Sequence, residues 1–72
     1  MEDILNLNPL KNSFKEFYEI AEKRRLFFDN SQEIWRKSKE GEEYDLQTSV
    51  LTQTLETFKD LLTFLEDWNV NE

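Results

Sequence analysis

The residues of this chain best suited to chemistry are carboxylates. Glu16, Glu19 and Glu22 recur every third residue, which strings them along one strip of an α-helix. An active site built on carboxylates needs a pair held at the mouth of a cavity. These three fall mostly on the polar side of their helix, where charge serves solvation. A di-iron bundle would want a Glu-x-x-His pattern, and the sequence has no histidine. It has no cysteine either, so thiol chemistry and disulfides are out of reach. No glycine-rich phosphate loop and no serine nucleophile motif is present. The sequence argues against an enzyme and offers no catalytic residue, cofactor site or metal site.

Charge narrows the partners. The net charge is −7. Lys23-Arg24-Arg25 and Arg36-Lys37-Ser38-Lys39 are local basic clusters, but the glutamates around them and the overall acidity repel phosphates, so nucleic acid is not an expected ligand. A membrane-surface helix would need a basic polar face, and the C-terminal half is acidic. The reverse role remains as an alternative: an acidic inhibitor or DNA mimic that sets Glu42, Glu43 and Asp45, continuing to Glu56 and Asp60, against a basic protein surface.

These charges must be carried by helices. In the C-terminal half Leu51, Leu55, Phe58, Leu62 and Leu65 step by four and three and form one ridge. Leu46, Val50, Leu61, Phe64 and Trp68 form a second ridge beside it. At about 100° per residue the two ridges fill roughly 180° of the helix, wider than the stripe of roughly 100° that one neighbour covers. In the N-terminal half Leu10, Phe14, Phe17, Ala21, Phe28 and Trp35 keep the same spacing, widened by Tyr18, Ile20, Phe27 and Ile34.

Asn8 before Pro9 reads as a helix start, with Asn as the cap and Pro at the first helical position. Because the apolar phase holds from Leu10 to Trp35, the spacing predicts one helix over about 9–39. Asn30 with Glu33 three residues on resembles a capping box, and Asp29-Asn30-Ser31 is a breaker cluster. A break near Asn30, giving a three-helix bundle, is the alternative. Glu40 to Asp45 reads as the turn, with Gly41 ending the first helix in the left-handed conformation and Asp45 capping a second helix over about 45–68.

The expected fold is therefore all-α. A single domain spans residues 1–72, with an irregular segment at 1–8, whose Ile4, Leu5 and Leu7 can fold back on the hairpin, and a frayed tail at 69–72. So short a connection makes the two helices antiparallel. With the turn centred near residue 42, Asn30 and Ser31 fall near Thr54 and Thr57, either as a polar layer that fixes register or with the threonines at a solvent-facing edge. Arg24 then faces Glu56 or Asp60, and Arg24 with Asp60 is a candidate partner-selecting pair; otherwise both arginine stems of Arg24 and Arg25 pack along apolar surface with their heads in water. Arg36, Lys37 and Lys39 suit the end of the first helix, and Glu42, Glu43 and Asp45 the start of the second. At the open end Lys11 and Lys15 can pair with Glu66 and Asp67, or the two acids with Trp68 can form an acidic–aromatic contact surface.

An apolar arc this broad needs a second neighbour that one hairpin does not supply. The expected function is a non-catalytic protein-interaction module, a small acidic adaptor or regulator. It would self-associate, two hairpins making a four-helix bundle, or complete its core with a heterologous subunit. The candidate interface is Phe14, Phe17, Phe28, Trp35, Leu51, Leu55, Phe58, Leu62 and Leu65, and the ridge of Val50, Leu61, Phe64 and Trp68 is the second candidate. The first residues carry no signal peptide, and the longest apolar run is Leu26-Phe27-Phe28, too short for a membrane span. The cytoplasm is the default compartment. Met1 and the polar last residues suggest a complete small reading frame.

Overall fold

The computed structural model describes the backbone of residues 4–71 and the side chains of residues 4–69. Three helices follow in order: α1 (Asn8–Asp29), α2 (Glu33–Arg36) and α3 (Lys39–Asn71). Among the described residues there is no strand. α1 and α3 lie antiparallel, as Lys11 meets Glu66, Phe14 meets Phe58 and Arg24 meets Thr48. The result is a helical hairpin whose Cα trace measures 59 × 15 × 12 Å.

The chain reverses at residues 30–38 rather than at 40–45, so the expected long first helix is cut short and the break near Asn30 is the observed one. Ser31 is the local cause. Its hydroxyl donates to the Phe27 carbonyl at 2.6 Å and its N–H to the Phe28 carbonyl at 3.1 Å, which closes α1 with bonds that a continuing helix would need for itself. Gln32 is extended, with φ −65° and ψ 144°. It is Gln32, not Asn30, that precedes α2, and Asn30 instead ends α1, its N–H on the Leu26 carbonyl at 3.0 Å.

α3 then starts six residues earlier than expected, at Lys39, and runs to Asn71 rather than to about 68. Ser38 opens it by accepting the Gly41 N–H on its hydroxyl at 3.1 Å, the bond of a serine N-cap. Gly41 is not a left-handed terminator: no glycine has positive φ, and this one is helical and buried. A Cβ there would overlap the Trp35 carbonyl oxygen and lie 2.9 Å from the Arg36 Cα. Gly41 is thus the gap through which α2 packs on α3. Asp45 lies inside α3 and caps nothing. Arg36, Lys37 and Lys39 leave the end of the long first helix, whose last turn carries no basic residue, whereas Glu40 and Glu42 do sit in the first turn of α3, where the dipole favours them.

The N-terminal cap also moves by one. Leu7 occupies the cap position of α1 without a side-chain bond, and the Asn8 N–H is satisfied by the Asn6 side-chain oxygen at 3.2 Å. Leu7 is buried, and Leu5 is tied to α3 by Asn69, so residues 4–7 do fold back on the hairpin. Residues 1–3 and 72, the ends of the expected irregular segment and frayed tail, lie outside the described residues.

The core is a single seam. Ala21 of α1 and Leu55, Leu62 and Thr48 of α3 are buried, with the rings of Phe14 and Phe58 packed at a tilt, 5.6 Å between centroids. At the bend Trp35 gathers Phe27, Phe28 and Tyr44 at 5.7, 5.9 and 5.5 Å.

Candidate functional site

Two faces of α3 matter for function, and the seam fixes which is which. Taking about 100° per residue, Tyr44, Thr48, Leu55 and Leu62 point at α1. Leu46, Val50, Leu61, Phe64 and Trp68 fall on the side away from it. All five are exposed, from 45% for Trp68 to 64% for Leu46. The broad apolar arc of α3 is therefore half covered by α1 and half open. Thr54 and Thr57 interrupt the open half. Both are exposed and both turn their hydroxyls onto backbone carbonyls one turn back, of Val50 at 2.8 Å and Gln53 at 3.4 Å. The threonines are solvent-facing, and no polar layer forms between them and Asn30 or Ser31, which lie in the bend.

The first-named ridge lines the hairpin's own seam. Leu55 and Leu62 are buried in it, Leu51, Phe58 and Leu65 are half-buried at its edge, and Phe14 packs on Phe58. Phe28 and Trp35 belong to the aromatic cluster at the bend, and Phe17 is exposed. The structure thus separates what sequence periodicity left merged: one ridge closes the hairpin, and the other faces outward.

Arg24 does not meet Asp60. The register places it against the start of α3, where its Nε donates to Thr48 Oγ1 at 2.9 Å and its Nη2 to the Tyr44 carbonyl at 3.1 Å and to Gln47 Oε1 at 3.3 Å. Its guanidinium also lies 3.9 Å over the Tyr44 ring, a cation–π contact. Thr48 accepts from Arg24 while donating to the Tyr44 carbonyl at 3.0 Å, so this buried hydroxyl is satisfied. The bend sits earlier than the turn that sequence had indicated, and the whole register of α3 shifts with it. Arg25, on the opposite edge of the seam, keeps an exposed head that reaches Thr52 at 3.3 Å and Glu22 at 3.7 Å.

Lys11 and Glu66 pair at 2.8 Å across the open end, as the antiparallel arrangement required. Glu42, Glu43, Asp45 and Asp60 are all exposed on α3. By helical phase Glu42, Asp45, Glu56 and Asp60 share one strip, while Glu43 falls in the open apolar stripe. Among the described residues no group of three His, Cys, Asp or Glu is placed to hold a metal ion, and no helix is long and apolar enough to cross a membrane.

The fold and face thus define an antiparallel helical hairpin with an uncovered apolar stripe on its longer helix. No family model matches the chain, and neither a curated protein nor a solved structure is significantly similar to it.

Proposed function

We propose that this chain is a non-catalytic protein-interaction module that works by self-association through the open face of α3, two hairpins together making a four-helix assembly. One observation carries the reading: five large apolar side chains lie exposed in a row along α3, on the side that α1 leaves open. Scattered apolar residues on a surface are ordinary, but two apolar patches aligned on one helix face, broken only by threonines, mark a contact site. The apolar phase also continues past each end of the gap at Thr54 and Thr57, as expected of one surface rather than of two accidents.

Light scattering on a sizing column over a range of concentrations tests this. The wild-type chain is expected to be a dimer that dissociates on dilution, and Phe64→Asp to be a helical monomer. Adding salt should tighten the dimer, since two chains of net charge −7 repel and salt screens the repulsion. A helical wild-type monomer at every concentration would sink the proposal.

A second reading draws on the acidic strip of Glu42, Asp45, Glu56 and Asp60, all exposed: the chain as an acidic inhibitor or DNA mimic of a basic protein surface. Such binding weakens as salt rises, the opposite trend, and reversing the charge of Glu42 and Asp45 should abolish it while leaving helicity intact.

A further inference from the structure

We infer that the partner of α3 is α3 of a second copy, running antiparallel, with the two-fold axis at Thr57. This rests on the self-association proposed above and adds to it the helix, the direction and the register. Four of the five exposed apolar residues form a palindrome, and the fifth, Leu61, has Gln53 at its mirror position. Val50 and Phe64 lie seven residues either side of Thr57, and Leu46 and Trp68 lie eleven either side. Each of the four falls within about 20° of the Thr57 direction. An antiparallel partner centred there sets Val50 against Phe64 and Leu46 against Trp68, twice over. Each pair joins a smaller side chain to a larger one, and the two Thr57 side chains meet at the axis. This is the isologous, closed contact of a two-fold dimer.

Register is specified by what a slip would do. Moving the partner one turn toward the bend keeps Leu46 against Phe64 but sets Asp60 against Val50 and Glu42 against Trp68. Moving it one turn the other way keeps Val50 against Trp68 but sets Thr57 against Leu61 and leaves Leu46 without an apolar partner, so each slip loses one of the two apolar pairs. Direction is specified by size: in a parallel pair each side chain would meet its own copy, Trp68 on Trp68 and Val50 on Val50, whereas the antiparallel pair sets a larger side chain on a smaller one throughout.

The area lies at the lower bound. Leu46, Val50, Leu61, Phe64 and Trp68 are 45–64% exposed, and covering all that they expose in both copies removes about 1,000 Å², the least a specific contact needs, so the threonine methyl groups and border stems must add to it. The arrangement puts both α3 helices at the centre and both α1 helices outside.

The chain has no cysteine, which makes the test direct. Thr57→Cys and Val50→Cys are made separately, both at exposed positions, and each is checked for unchanged helicity and mass beside the wild type before mild oxidation. Thr57→Cys is expected to form a covalent dimer in most of the sample. Val50→Cys is expected to form little, because its two thiols would stand about 21 Å apart along the helices. Efficient linkage through Val50→Cys means a parallel pair and overturns the inference. A wild-type dimer in which Thr57→Cys does not link overturns the inference and leaves self-association standing. A wild-type monomer overturns both.

Discussion

At the bend of the hairpin Trp35 meets Phe27 and Tyr44 edge to face and Phe28 at a tilt, Arg24 caps Tyr44, and Gly41 lets α2 settle on α3. At the open end Leu7 and Leu62 are buried in the seam, and the exposed Lys11–Glu66 pair and the two bonds between Asn69 and Leu5 close it. The contrast is between a cluster of half-covered rings and a short aliphatic seam finished by point contacts. Aromatic rings bring large areas out of water and add a directional term on top. An exposed ion pair contributes little after screening and side-chain entropy are subtracted. The hairpin should therefore open from its free end, with the bend as its most persistent part.

The most severe way to break that contrast is to empty the bend. Trp35→Ala removes contacts to three rings at once and should lower the unfolding free energy by about 2–4 kcal/mol, read by urea denaturation at fixed protein concentration. A loss below about 1 kcal/mol would mean that the cluster is not the stronger end. Gly41→Ala comes next and is a test of sign. Replacing a glycine inside a helix with alanine ordinarily stabilises by about 1 kcal/mol. Here the added Cβ meets the Trp35 carbonyl, so a net loss of about 1–3 kcal/mol is expected in the same denaturation series. Asn69→Ala should have the smallest effect, about 1 kcal/mol. It should appear as faster amide hydrogen exchange at Leu5 with exchange at the bend unchanged. Faster exchange at both ends would show that the two are not independent.

Much of this molecule can be read from residue spacing, and the failures share one cause. The all-α class, the antiparallel hairpin, the pairing of Lys11 with Glu66 and the half-covered arc of α3 all follow from periodicity and charge. The position of the bend was legible only as the alternative, a break near Asn30. Phe28 and Trp35 are seven residues apart and in helical phase, which reads as one continuous helix. They are in phase because both must face the same aromatic cluster from either side of a break. A shared core imposes phase on separate segments as firmly as a continuous backbone does. Gly41 misled for a related reason. Glycine at a helix end and glycine at a close approach look the same in sequence, and only the position of Trp35 tells them apart. Once the bend moves, the register moves with it, and Arg24 meets Thr48 and Tyr44 rather than Asp60. The outward ridge of Val50, Leu61, Phe64 and Trp68 was visible in the sequence. Which of two equivalent ridges α1 would cover was not, because both are apolar and both fit a helix.

The clasp at the open end has a consequence for which residues can vary. Asn69 receives the Leu5 N–H on its side-chain oxygen and gives its own side-chain N–H to the Leu5 carbonyl, both at 2.9 Å. One amide reads another, as neighbouring strands do, and nothing in the exchange depends on what side chain residue 5 carries. Position 5 is therefore open to almost any residue that keeps its backbone N–H. At position 69 only asparagine makes both bonds: aspartate lacks the donor, and glutamine carries the amide one carbon too far out. Two positions that share the same pair of bonds are thus constrained unequally.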